Sequence, residues 1–365
     1  MKRRDFIKQA GVGAVGAGVV TGCAQRTGAS AAAAQPLINW QLASSFPRSL
    51  DTIFGAAEVF SARVKDLTNG KFNIRVFPAG ELVPGLQVLD AVQNKNAQMG
   101  HTASYYYIGK NEALAFDTAV PFGMTARQQS AWYRAGGMEL MRNLFADFNI
   151  INFQGGNTGV QMGGWFRNPV ENLAGLKGLK MRIPGLGGKV MADLGVTVQN
   201  IAGGDIFSAL DRGAIDATEW VGPYDDMKLG FYQVAKNYYY PGWWEPGPAL
   251  SFYVNKEAWE RLPESYQSAI EVATAEASVG MMIEYDSKNP AALKSLVNDH
   301  GVQLKKYSDD IMNAANESIN DMCTGFAAKD LQYKKIYDHW SAFKKDSAAW
   351  FSTAEQSYTQ FAYKA

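Results

Sequence analysis

The sequence predicts an α/β protein with two lobes, and three observations carry that reading. Short β-like runs alternate with amphipathic helical stretches through the first two-thirds of the chain, the pattern of an α/β architecture. At 365 residues the chain exceeds the range of about 250–300 at which single cores tend to divide. After Asn255 the texture turns almost wholly helical. Residues 38–43, 72–77, 99–103, 150–153, 160–166 and 179–183 read as strands. Between them, 50–67 and 86–92 show helical spacing, and Asp205 is placed to cap a helix that stops near Gly213. Pro263 is placed to open a long helix, Ser308 to cap another, and the remainder to Ala365 reads as mostly helical.

The first residues address the chain for export. Residues 2–8, KRRDFIK, carry two adjacent arginines and an apolar pair ahead of a glycine- and alanine-rich run over 9–22. This reads as a twin-arginine signal. The run is shorter and richer in glycine than the span of about 20 apolar residues that a membrane helix needs. Its GVGAVG matches a dinucleotide fingerprint in composition alone, because no strand precedes it. Two processing outcomes compete. Val20-Thr21-Gly22-Cys23 reads as a lipobox with Cys23 lipidated, whereas residues 30–34 offer small residues for ordinary cleavage and a freely diffusing periplasmic product. Residues 1–33 are taken as signal and tether.

Lys+Arg and Asp+Glu both number 35. Removal of 1–33 takes five bases and one acid, leaving 30 positive and 34 negative groups. A mildly acidic chain does not suit nucleic acid. Cys23 and Cys323 are the only cysteines, so no internal disulfide is expected in the exported protein, and Cys323 falls on the apolar stripe of Ile311, Ala315, Ile319 and Met322. His101, His300 and His339 are scattered, and a zinc or iron site is not expected.

The chemistry gathers between Asn157 and Glu245, in NTGVQMGGWF, GLKMRIPG, AIDATEWVGPYDD and YYYPGWWEPGP. Arg182 sits in Lys180-Met181-Arg182-Ile183, a short strand bounded by glycines, and its guanidinium suits the paired hydrogen bonds of a planar carboxylate. Gln161, Glu219 and Glu245 add hard oxygens, more acid than one arginine neutralises, which points to a cation. No nucleophile stands among them. Trp243 and Trp244 invite a sugar-stacking reading, but beside Tyr238–Tyr240 they read more readily as core or cleft wall. Tyr106 is a candidate hydroxyl donor to a ligand, on the reading that 105–107 is extended and its neighbours point away; Asn157 is a further candidate.

These stretches, together with FPAGELVPGLQ, SYYYIGK and AVPFG, carry a resemblance over nearly the whole chain after its leader. The sequence resembles the solute receptors of tripartite ATP-independent periplasmic (TRAP) transporters, and within them the receptors for 2-oxo acids. The resemblance implies two α/β lobes closing on a ligand in the cleft between them, with a long connecting helix and a helical C-terminal tail. One lobe would comprise 36–157 plus 220–254, the other 158–219 plus 255–365. It implies that Arg182 forms the salt bridge to the substrate carboxylate. Gln161, Glu219, the backbone oxygen of Trp220 and Glu245 would surround a sodium ion that also touches the substrate, and calcium suits the same ligands. A TRAP permease in the membrane is the implied partner, driven by an ion gradient, with a homodimer as the implied assembly and no catalysis. The rival readings are a sugar receptor of an ATP-driven importer and a periplasmic carbohydrate-active enzyme using Glu219 and Glu245 as acid and base.

Overall fold

The structure is a computed structural model that describes residues 35–364; the twin-arginine motif and Cys23 lie outside the described residues. Eleven strands are assigned among them: β1 (Ile38–Ser44), β2 (Phe72–Phe77), β3 (Met99–Thr102), β4 (Ile150–Asn157), β5 (Trp165–Phe166), β6 (Lys180–Arg182), β7 (Thr197–Gln199), β8 (Ala217–Thr218), β9 (Asn237–Tyr240), β10 (Ala249–Asn255) and β11 (Gln303–Lys306). They form two sheets, ordered β2-β1-β3-β10-β4 and β11-β9-β5-β8-β6-β7. In the first, β1 pairs parallel with β2 and β3, and β10 enters antiparallel between β3 and β4. Every residue of β10, ALSFYVN, is buried. That is the pattern of a strand covered on both faces, not one exposed on alternate residues.

Two sheets with separate helical cover give the two-lobed architecture that the sequence predicts. The helix Gly55–Leu67 buries Ala56, Ala57, Phe60 and Val64 along one face. It packs on the helix Glu264–Asn298, which follows Pro263 and runs 35 residues, roughly 50 Å at 1.5 Å per residue. That long helix presents Tyr266, Ala269, Ile270, Ala273, Ala277 and Met281 to the core. At its contact with β4, Gly156 has φ +153° and a Cβ there would lie 2.3 Å from Met281 Cε. The backbone angle favours glycine, and any Cβ would have to displace the end of the Met281 side chain. After β11, helices Asp309–Lys329 and Leu331–Phe351 complete the tail, and Cys323 is buried with the Tyr333 hydroxyl 3.3 Å from its sulfur.

Three local expectations are corrected. Residues 160–166 are not one strand: only Trp165 and Phe166 pair, because Gly159 and Gly164 take φ of +72° and +87°. The N–H groups of Gln161 and Met162 go to Glu245 and Val221 in loops, and only Gly163 reaches a strand, at Tyr239 of β9. Residues 104–107 form a 3-10 turn, not an extended segment. Residues 220–254, grouped with one lobe above, are divided, since β9 lies in the second sheet and β10 in the first.

The chain passes between the sheets along 158–164 and again along 241–248, and these crossings are stitched together. Asn157 Nδ2 donates to Gly247 O at 3.0 Å, Thr158 N to Pro248 O at 3.3 Å and Gln161 N to Glu245 O at 3.1 Å. Gly242 N donates back to Gln161 O at 2.9 Å. Gln161 and Glu245 are thereby held as a pair.

Candidate functional site: a buried arginine, two carboxylates and unpaired oxygens

Arg182 is the last residue of β6, and β8 beside it leads directly into Glu219 and Trp220. Its side chain is 1% exposed. Nε donates to Ile201 O at 3.0 Å, and Nη1 donates to the backbone oxygen of Glu219 at 3.1 Å and to its carboxylate Oε1. The guanidinium lies over the Trp220 indole, 5.2 Å from the ring centroid, and its charge acts on the nearby Tyr106 hydroxyl. Tyr105, on the same turn, feels the charge of Glu245. Turn geometry brings adjacent tyrosines to one site, which strand alternation would forbid.

Burial decides the protonation of the acids. It pushes Glu219 up to about 7, helped by the charge of Asp226 and opposed by Arg182. Glu245 is raised well above the ordinary carboxylate range by burial, then by Glu219, against the pull of Arg182. A salt bridge to arginine would by itself lower Glu219; loss of hydration outweighs it. Burial lowers Arg182, but Glu219, Tyr106, Tyr105 and Glu245 together more than offset it, so the guanidinium stays charged. One guanidinium therefore faces two buried carboxylates, and the excess negative charge calls for a proton or a cation.

Four buried polar atoms here have no protein partner: Gln161 Oε1, Glu219 Oε2, Glu245 Oε2 and Arg182 Nη2. Three oxygens that lack donors suit a hard cation, and a free guanidinium edge suits an anion. Among the described residues no cluster of three His, Cys, Asp or Glu side chains gathers for a metal. The set instead fits a cation held by two acids and an amide and completed by other oxygens, such as the Trp220 carbonyl that the resemblance implies. Arg182, Gln161, Trp220, Tyr105, Tyr106 and Thr158 line a small cavity whose remaining wall, including Phe46, Ile53 and Leu250, is mostly apolar. About 10 Å³ of it is open to the centre of a water-sized sphere, about the least that one water molecule needs. A surface hollow of about 550 Å³ beside Trp40, Lys95 and Arg261 is larger, yet none of its lining side chains is a buried unpaired donor or acceptor.

Asn157 does not join this set. Both ends of its amide are spent on backbone, Nδ2 on Gly247 O and Oδ1 on Gly159 N at 2.9 Å. Trp243 and Trp244 are core, not platforms: Trp243 stacks on Phe122 with centroids 5.3 Å apart, and Trp244 meets Tyr307. His101 is buried, with Nε2 3.1 Å from Gly155 O, and burial lowers it to about 4. Several contributors escaped the sequence reading. Asp226 accepts from Tyr238, Trp165 and Val221 N, and Asp225 accepts from Tyr285 at 2.7 Å and, at 3.4 Å, from Trp220 Nε1. They brace the 219–222 stretch, and their signal was the paired acids at the end of TEWVGPYDD.

The chain is 51% identical over 363 residues to a monocarboxylate 2-oxoacid-binding periplasmic protein of Nostoc, covering 99% of each. A TRAP transporter solute-binding protein of Bordetella bronchiseptica superposes with a TM-score of 0.89 at 45% identity, over 90% of this chain and 98% of that one; it is a mixed-occupancy dimer with copurified calcium and picolinate in one active site. A TRAP periplasmic solute-binding protein of Pseudoalteromonas atlantica, with bound sodium and pyruvate, gives a TM-score of 0.86 at 39% identity over 88% and 98%. The model of the bacterial extracellular solute-binding proteins, family 7, matches residues 43–330. With its two sheets, stitched crossings and buried arginine, the chain belongs to that family, the DctP solute-binding proteins.

Proposed function

We propose that this protein is the extracytoplasmic receptor of a TRAP transporter and binds a small 2-oxo or 2-hydroxy monocarboxylate together with sodium or calcium. The observation that carries the reading is the set of four unpaired buried atoms, three oxygens and one guanidinium nitrogen. Arg182 Nη2 and the Tyr106 hydroxyl would bind the carboxylate end, and Gln161, Glu219, Glu245 and the Trp220 carbonyl would hold the cation. A bound hard cation supplies charge neutralisation for both the acids and the ligand oxygens. Phe46, Ile53 and Leu250 would face the ligand's short alkyl end. Nothing in this arrangement asks for bond breaking, and release of unchanged ligand to a membrane permease is the expected outcome.

The chain would work in the periplasm, exported through its twin-arginine leader, either lipidated at Cys23 or cleaved after the alanine run. A second copy is the proposed neighbour of the C-terminal tail, where Trp350, Tyr358, Phe361 and Tyr363 are all exposed. Titration calorimetry tests the binding reading directly. Purified protein, stripped of ligand by unfolding and refolding, is titrated with pyruvate, 2-oxobutyrate and lactate in sodium, in calcium and after chelation. Metal-dependent binding that disappears in Arg182→Ala is expected; absence of binding to all three acids would overturn the reading.

A further inference from the structure

Gln161 reaches the site on a backbone fixed from both sides, by its N–H to Glu245 O and by Gly242 N to its own carbonyl. One freedom remains, which is the way round the side-chain amide sits. An amide presents an acceptor at one end and two protons at the other, so a half-turn about its last bond replaces a cation ligand with a group that repels a cation. The neighbour that decides is Thr158. Its hydroxyl donates to Gly159 O at 3.2 Å, which commits its only proton, and it accepts from Gln161 Nε2 at 3.1 Å. A hydroxyl with its proton committed can only accept. The amide therefore turns its NH2 toward Thr158 and leaves Oε1 buried without a partner.

We infer that Thr158 is a positioning residue for cation binding: its hydroxyl locks the Gln161 amide so that oxygen, not nitrogen, faces the cation. The inference rests on the receptor function proposed above. Thr158 itself is 3% exposed and lines the same cavity, so its effect on the cation through Gln161 must be separated from contact with the ligand.

The test measures the calcium concentration that gives half-maximal pyruvate binding, by calorimetry, in wild type, Thr158→Val, Thr158→Ala and Thr158→Ser. Valine and alanine are expected to raise it by about 10–100-fold, the usual cost of losing a group that orients a metal ligand. Serine restores it, and the valine and alanine variants still bind pyruvate once calcium is saturating. Melting temperatures in calcium-free buffer confirm that each variant is folded. The decisive arm repeats Thr158→Val in a Gln161→Glu background. A carboxylate has two equivalent oxygens and nothing to orient, so most of the effect disappears. Unchanged calcium dependence in both valine and alanine variants overturns the inference, as does an effect that persists undiminished in the Gln161→Glu background. Loss of pyruvate binding at every calcium concentration also overturns it, because Thr158 would then act on the ligand. A wild-type protein that binds no pyruvate with any cation would instead overturn the function on which the inference rests.

Discussion

Arg182 turns one guanidinium nitrogen, Nη1, onto both the backbone oxygen and the carboxylate of Glu219, and leaves Nη2 without a protein partner. The same arginine thus braces the wall of its site and keeps an edge free for an anion. Glu219 is divided likewise, with Oε1 on Arg182 and Oε2 unpaired. A ligand carboxylate and a cation would complete two groups that the fold leaves half-satisfied.

Substituting Arg182 by lysine separates charge from shape. Lysine keeps the positive charge beside Glu219 and Glu245 but loses the planar fork that serves Ile201, Glu219 and a ligand at once. Pyruvate affinity should fall by about 2 kcal/mol, roughly thirtyfold. Arg182→Ala should cost more, because it also leaves two buried acids uncompensated. Calorimetry at saturating cation checks both; a lysine variant that binds like wild type would show that charge alone suffices.

Gln161→Glu places a third carboxylate opposite the single arginine. Three acids favour a divalent over a monovalent ion, so the preference should move toward calcium by roughly tenfold. The check is the calcium-to-sodium ratio of half-saturation concentrations for pyruvate binding. An unchanged ratio would remove Gln161 from the cation's ligands.

Most of the architecture was legible because burial writes itself into periodicity. Strands 38–43 and 72–77, the long helix after Pro263 and the one after Ser308 stand in the structure, whereas 150–153 is only the first half of β4, which runs on to Asn157. The reading failed where tertiary hydrogen bonds outrank local pattern. Residues 160–164 look like a strand, but the N–H groups of 161–163 go to two distant loops and β9. Residues 104–107 look extended because tyrosine favours strands, yet Ser104 is bound to Asp117 and Tyr253 and its N–H to Thr118, which holds the turn. Residue types also cannot say which amide is free. Asn157 and Gln161 lie four positions apart, and only the backbone around Gly247 and Gly159 shows that one is spent and the other is not.

Stability should depend on pH in a direction set by burial. Glu219 and Asp225 are raised to about 7 and Asp226 to about 6, chiefly by burial in each case. A carboxyl whose folded value lies above its unfolded one binds its proton more tightly when folded. Its contribution is therefore fully present below the unfolded value and is lost as pH rises through the folded one. The ligand-free protein should lose stability between about pH 4 and pH 7 from these groups. Cation and carboxylate together should restore it, so the rise in melting temperature on adding pyruvate with calcium should be larger at pH 8 than at pH 5.5. Binding near neutrality should also release protons, seen as a dependence of the calorimetric heat on the buffer's ionisation enthalpy. A ligand-induced shift that is the same at both pH values would mean that the acids are already ionised without the cation.

Gly185 tests how tightly the turn carrying Tyr105 must meet the helix Gly185–Asp193. Its φ is +66°, and a Cβ there would lie 3.1 Å from the Tyr105 ring. Alanine at this position meets two penalties, backbone strain of about 1 kcal/mol and crowding that pushes the Tyr105 ring from its place beside Glu245. Gly213 provides the comparison, with φ +70° and nothing within 4 Å of a Cβ. Gly213→Ala should lower the melting temperature by a few degrees and leave pyruvate affinity intact. Gly185→Ala should lower both, with affinity down about tenfold, mainly through faster ligand release. Stopped-flow tryptophan fluorescence resolves the two rates. Equal effects of the two substitutions on dissociation would show that the Tyr105 contact does nothing to retain the ligand.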